Sequence, residues 1–378
     1  MPFATHALVL KNNGEAWGWG SNSDTGNPNG QIGDNSTTDR SSPVSVVGNH
    51  SFSLISGGHI HSLALKSVGT AWGWGDNAPN GQIGDNTTTN RSSPVAVVGN
   101  HKFVDVAAGG LHSFAIKANG AGWSWGNGVA GQIGEGSNSD RSSPVAVVGN
   151  HLFKRIAAGS SYSVGIKKSN GTAWTWGSNA DGQLGDGTTT NRNSPVSVIG
   201  AHSFVDIKGA TGESMTLALK ADGSVWGWGR NLTGSLGDNS TTNRSSPVVV
   251  VGAHSFIQIA AVRESGLGLK ADGSIWAWGQ NTNGQLGNNS TTGTSSPVLV
   301  VGNHSFIQVI GADRFSFALK VNGQVWGWGN NPQGQLGDST TDDKSSPVLV
   351  VGSHAFNLLM DNGTVLSFGA QIIYTQII

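Results

Sequence analysis

Two sets of polar side chains recur in this chain at spacings that could support chemistry. Histidine appears at His50, His101, His151, His202, His254, His304 and His354, which read alone is a metal-ligand inventory. Metal ligands, however, must converge to about 2 Å from one ion, and one histidine in each of seven separate units does not converge. These seven are assigned to stabilising a turn. The second set pairs an acid with a base six residues later: Asp34 with Arg40, Asp85 with Arg91, Glu135 with Arg141, Asp186 with Arg192, Asp238 with Arg244, and Asp338 with Lys344. In the sixth unit both partners are replaced together, by Asn288 and Thr294. Joint loss predicts that the two side chains meet as an ion pair bracing a loop. A carboxylate ring holding a metal or substrate would need the acids to converge. His59, His61 and His112 differ from the turn histidines because they lie in a stretch that varies, so they are candidates for direct ligand contact. No Ser/His/Asp order, phosphate-cradling Gly-x-x-x-x-Gly-Lys or paired catalytic carboxylates stand out. The chain is expected to have no catalytic residues, no metal site and no cofactor, and not to be an enzyme.

These residues ride on a repeat of about 51 residues, and such periodicity takes precedence over length in setting the fold. Each unit is anchored by Trp-x-Trp-Gly, beginning at Trp17, Trp72, Trp123, Trp174, Trp226, Trp276 and Trp326, and the seven pairs use all 14 tryptophans. Period-2 spacing puts both indoles of a pair on one face of a strand, where they suit burial between layers. Exposed, they would stack on sugars or proline-rich peptides, which is the route to a lectin-like module. A Gly-rich polar loop follows, then a Ser-Pro-Val strand whose proline fits a strand start or an edge strand. A Val-Gly-x-His-x-Phe turn and two short apolar strands lead back to tryptophan, the last hairpin turning on dipeptides such as Asp222-Gly223. Four strands per unit make one propeller blade. The fold expected is all-β, a seven-bladed propeller of four-stranded blades.

The chain opens with only the second and third strands of a blade, His6 to Lys11 and Glu15 to Gly20. Aligned on Phe306, the segment Phe356 to Met360 supplies the missing first strand, so the termini are expected to share a blade. The propeller is placed at residues 1–362. Residues 363–378, with Ile372, Ile373 and Tyr374, form an apolar tail expected to act as a docking segment. A second alignment, pairing Leu366 and Phe368 with the tryptophan strand, would displace an existing strand pair.

Composition narrows the partners. Only 11% of residues are charged and the formal net charge is -1, which gives no basic footprint for phosphate backbones or anionic lipid and points away from nucleic acid. Cysteine is absent, so disulfides and thiolate metal sites are absent with it. No 18-residue apolar stretch and no basic leader with a cleavage site are seen, so neither a membrane span nor a signal peptide is expected. A cytoplasmic setting fits, and low charge with near-identical repeats also suits an extracellular or virion surface.

The run Ile55-Ser56-Gly57-Gly58-His59-Ile60-His61-Ser62-Leu63-Ala64-Leu65 resembles the signature of the regulator of chromosome condensation repeat family, and Val106 to Ile116 matches it as well. Gly-Gln-Leu-Gly loops, as at Gly182 to Gly185, extend the resemblance over residues 1–360. It implies a seven-bladed propeller that acts by binding proteins. Within that family it implies a guanine-nucleotide exchange or chromatin-binding regulator as one role and an inhibitor as another. The signature decays to Tyr162, then to Glu213, to Arg263 and Glu264, and to Arg314, and neither a basic tail nor an inserted wedge accompanies it.

Positions copied in every unit serve the architecture, which leaves varying positions for a partner. The most variable segment joins the first and second strands of each blade. It nominates His59, His61, His112, Tyr162, Glu213, Arg263, Glu264, Arg314 and Phe315 as one partner-binding surface, together with the tail. The function expected is a protein-interaction scaffold or structural component engaging a protein partner or larger assembly. A glycan-binding propeller is the second class, and the exchange or chromatin regulator the third.

Overall fold

The computed structural model describes residues 6–11, 13–24, 27–210, 212, 214–351 and 358–359. Seven four-stranded antiparallel sheets follow one another along the chain. Blade 1 holds His6–Leu10, Ala16–Gly20 and Arg40–Ser45 with the two-residue strand Leu358–Leu359, and blade 2 runs from Leu54–Gly57 to Arg91–Ala96. Blades 3 to 7 occupy 103–146, 153–197, 206–249, 258–299 and 308–349. First strands of successive blades touch one another, so they form the inner wall, and the Ser-Pro-Val strands form the outer edge. Proline on that edge removes a backbone donor where a second sheet could otherwise add.

In blade 1, Leu358 pairs with Leu10 and Leu359 with Val9. The remainder of the segment aligned to that strand, and the whole of 363–378, lie outside the described residues. The enlarged first loop contains a small hairpin, Ser23–Asp24 with Asn27–Pro28, which the repeat pattern did not foreshadow.

The two tryptophans of each pair do different work. The second indole, at Trp19, Trp74, Trp125, Trp176, Trp228, Trp278 and Trp328, is fully buried in an apolar cluster shared by consecutive blades. Its Nε1–H donates to a backbone carbonyl of the preceding blade, for example Trp125 to Gln82 at 2.9 Å and Trp176 to Gln132 at 2.9 Å. Trp19 donates to Gln335 at 2.8 Å, which joins blade 1 to blade 7 and closes the ring. The loop must pass flat against the indole. At Gly84, with φ of +83°, an added Cβ would lie 2.6 Å from Trp125 Nε1.

The first indole is half-buried and lies against a histidine ring and a lysine ammonium. Trp72 has the His50 ring at 4.3 Å and the Lys66 ammonium 4.6 Å from its centroid, and the arrangement repeats at Trp123, Trp174, Trp226, Trp276 and Trp326. Six of the turn histidines therefore stack on an indole, and the seventh, His354, lies outside the described residues. These tryptophan faces are not open to a sugar.

The two indoles predict unequal mutational costs. Trp125→Phe leaves a cavity and removes one of the two hydrogen bonds to the Gln82 carbonyl, costing about 3 kcal/mol, whereas Trp123→Phe costs about 1 kcal/mol. Urea denaturation of the two variants checks this, and equal losses would refute the division of labour.

Candidate functional site

In six blades the third-to-fourth-strand loop is built around a buried asparagine two residues after the glycine of Trp-x-Trp-Gly, namely Asn22, Asn77, Asn179, Asn231, Asn281 and Asn331, and blade 3 has Gly128 at that place. Asn179 Oδ1 accepts from Leu184 N at 2.9 Å, while its Nδ2 donates to Asp186 Oδ1 and to the carbonyls of Thr188 and Thr190. Asp186 accepts from Thr188 as well, and its Oδ2 lies 2.8 Å from Arg192 Nη2. Burial works against its charge, but hydrogen bonds from Thr188 and Arg192 outweigh it and hold the carboxyl below its usual range. The other acid and base pairs meet likewise, at 2.6 Å for Asp34 and Arg40, 2.8 Å for Asp85 and Arg91, 2.6 Å for Glu135 and Arg141, 2.8 Å for Asp238 and Arg244, and 3.7 Å for Asp338 and Lys344. In blade 6, Asn281 keeps its place and bonds Asn288 instead. Sequence reasoning found the pairs and missed the asparagine, although its recurrence was visible. None of these loops gathers acids from different blades.

The loops between first and second strands divide the candidate residues in two. His61 and His112 are fully buried, and their Nε2 atoms meet Ser113 Oγ at 3.0 Å and Ser163 Oγ at 2.9 Å in the next blade. Those serines bond the same Gln82 and Gln132 carbonyls that take the indoles. Tyr162 is buried at the matching place and donates to the Met215 carbonyl, and Phe315 is buried there in blade 7. These four were expected on a binding surface. The structure corrects that, because the residue opening the second strand points into the seam between blades and varies with what fills it.

His59, Arg263, Glu264 and Arg314 are half-buried and stand at the inner rim of this face. Backbone bonds tie neighbouring loops there, His59 N to Gly109 O at 3.1 Å, Ser160 N to Ala210 O at 3.1 Å and Arg263 N to Asp313 O at 2.8 Å. Arg263 Nη1 lies 3.5 Å from Asp313 Oδ1, and Arg230 lies 3.8 Å from Glu264 and 3.9 Å from Asp181, so ion pairs cross from blade 4 to blade 7. The rim closes tightly: a Cβ on Gly212 of blade 5 would be 2.6 Å from Asp313 Oδ1 and 3.0 Å from Arg263 Cγ. Burial first, and then the Arg263 charge, lower the His59 pKa to about 4. Arg314 makes no ion pair among the described residues. Glu213, Ile372, Ile373 and Tyr374 lie outside the described residues.

Sequence comparison now adds the family. Six stretches, 69–116, 119–166, 170–219, 222–264, 272–319 and 322–357, match the regulator of chromosome condensation (RCC1) repeat. The chain belongs to the RCC1 repeat family. It is 33% identical over 250 residues to the ultraviolet-B receptor UVR8 of Arabidopsis thaliana, an alignment covering 65% of this chain and 56% of UVR8. It is 28% identical over 254 residues to the human E3 ubiquitin-protein ligase HERC2, covering 65% of this chain and 5% of HERC2. The alignments thus reach only part of these RCC1-repeat relatives. Prp20p of Saccharomyces cerevisiae, whose structure was described with its binding to Gsp1p and histones, superimposes with a TM-score of 0.81 at 20% identity, covering 94% of this chain and 91% of that one. Human WBSCR16 gives a TM-score of 0.77 at 19% identity, covering 96% and 97%. At these identities the likeness is one of fold.

Two buried groups set opposite pH responses. Burial lowers the pKa of His6, His61 and His112 to about 3, so their contribution to stability is whole above the unfolded value of 6.5 and is lost as pH falls through the folded values. The thermal midpoint should fall from pH 6.5 towards pH 4, where the three histidines together outweigh the single opposing Asp105, and a midpoint unchanged over that interval would contradict these assignments. Asp105, on the inner strand of blade 3, behaves inversely. Burial, against the attraction of Arg155 and Lys208, raises its pKa to about 7, so its contribution is lost as pH rises from the unfolded value of 3.8 through 7. Asp105→Asn should therefore stabilise the protein, by a margin in melting temperature that grows from pH 5 to pH 8.

Proposed function

We propose that this RCC1-repeat propeller is a non-enzymatic scaffold that binds a protein partner at the inner rim bearing His59, Arg263, Glu264 and Arg314. The observation that carries the reading is the convergence there of side chains that do not repeat, contributed by blades 2, 6 and 7 and held by ion pairs running on to blades 5 and 4. A fixed array of both charge signs recognises a complementary array on another protein, giving orientation more than raw affinity. The RCC1 fold supports this reading because it is a protein-interaction fold. Arg263 and Glu264 are engaged with charges of neighbouring blades, which suits positioning rather than proton transfer. A virion or extracellular setting gains no support from the comparisons, and indoles that already lie against histidine and lysine do not favour a glycan-binding face.

Photo-crosslinking amino acids at Arg314 and Glu264 should trap a protein partner, while one at Asn119 on the opposite face should trap none. Arg314→Glu should weaken that partner's binding at least tenfold with an unchanged melting temperature. Crosslinking confined to Asn119, or binding indifferent to Arg314→Glu, would overturn the proposal.

A further inference from the structure

A net charge near zero conceals how this fold sorts its charges. Antiparallel blades send the first-to-second and third-to-fourth connections to one face, and the second-to-third hairpins and the inter-blade turns to the other. Along the first set of connections, with the strand ends they meet, the described residues include fifteen carboxylates and nine cationic side chains, an excess of six negative charges. The second set holds ten lysines, three carboxylates (Glu15, Asp222 and Asp272) and no arginine, an excess of seven positive charges. The inner-strand residues Asp105, Arg155, Asp206 and Lys208 cancel one another. The net composition averages two faces of opposite sign.

We propose that the lysine face docks on an anionic lipid bilayer. Seven of its lysines, one per blade, hold the ammonium over a tryptophan ring, 3.8 to 4.7 Å from its centroid, which fixes a ring of positive charge around the disc. Lys102, Lys154 and Lys168 add charges that are exposed. Between them stand aliphatic side chains that a water-facing surface has no use for. Val68 and Val321, at hairpin tips, are 64% and 86% exposed, and Ile257 and Ile307, where inter-blade turns end, are 58% and 53% exposed. In blade 4 the face is indented by a recess lined by Asn150, His151, Lys167, Lys168 and Ser169, which presents two ammonium groups and polar neighbours to a phosphate head group.

Charge spread around a disc, rather than gathered in a groove, matches a planar array of head groups, and protruding aliphatics gain from entering its interface. Duplex or single-stranded nucleic acid fits less well. The face offers no arginine fork for phosphates or guanines, and its indoles lie against histidine and lysine and are closed to base stacking. This surface is opposite the protein-binding rim, so the two proposals stand or fall separately.

The test is co-sedimentation of the whole chain with vesicles of phosphatidylcholine, with and without phosphatidylserine, at low and at physiological salt. Binding should require phosphatidylserine and weaken with salt. Lys102→Glu/Lys154→Glu/Lys168→Glu, which leaves every tryptophan stack intact, should reduce it about a hundredfold. Val68→Asp/Val321→Asp, confined to two hairpin tips, should also reduce it and serves as an independent variant. Absence of binding to anionic vesicles at low salt, or binding indifferent to both variants, would overturn the proposal. So would sedimentation without vesicles that the lysine variant abolishes, which would mean that this face contacts the acidic face of a second copy. Tighter binding to duplex DNA than to vesicles would overturn it as well.

Discussion

One hydrogen bond, made seven times, supports the architecture: the buried indole N–H of each blade's second tryptophan donates to a backbone carbonyl of the blade before it. A blade has no core of its own, and each apolar cluster is shared between two neighbours. The bond fixes the angle at which they meet. An unpaired indole there would strand a donor in a dry seam. Much of what repeats in the sequence serves this contact. The glycine facing the indole lets the loop lie flat, the buried asparagine sets the loop's curvature, and the acid and base pair pins its far end. The serine of the second strand binds the same carbonyl from the other side, as Ser113 does at Gln82.

The fold was legible because its main signal is redundant. Seven tryptophan pairs at one period leave few architectures open, and joint loss of acid and base in the sixth unit located an ion pair without coordinates. The candidate site was only half legible. Variation between repeats was taken as freedom to bind, yet at the residue that opens each second strand, His61, His112, Tyr162, Met215 and Phe315 are alternative fillers of one buried seam. Variation marks function only where the side chain also reaches the rim. That distinction depends on direction, and a strand alternates direction at every residue, so neighbours such as Arg314 and Phe315 have opposite fates. Charge segregation was invisible to composition for a related reason, since it follows from which loops share a face.

The chain therefore has a rigid ring with two unlike ends. One carries a rim of mixed charges drawn from non-equivalent blades, and the other a lysine ring with aliphatic tips. The similarity to UVR8 and HERC2 covers 65% of this chain and 56% and 5% of those proteins. What distinguishes this member lies on its two faces rather than in its core.

Hydrogen exchange at the tryptophan side chains tests the central claim most directly. Of the 14 indole N–H groups, the seven at Trp19, Trp74, Trp125, Trp176, Trp228, Trp278 and Trp328 should exchange only on global unfolding, with one shared protection free energy that includes the Trp19 to Gln335 junction. Graded protection among those seven, or rapid exchange at Trp19, would contradict a closed ring held by equivalent bonds.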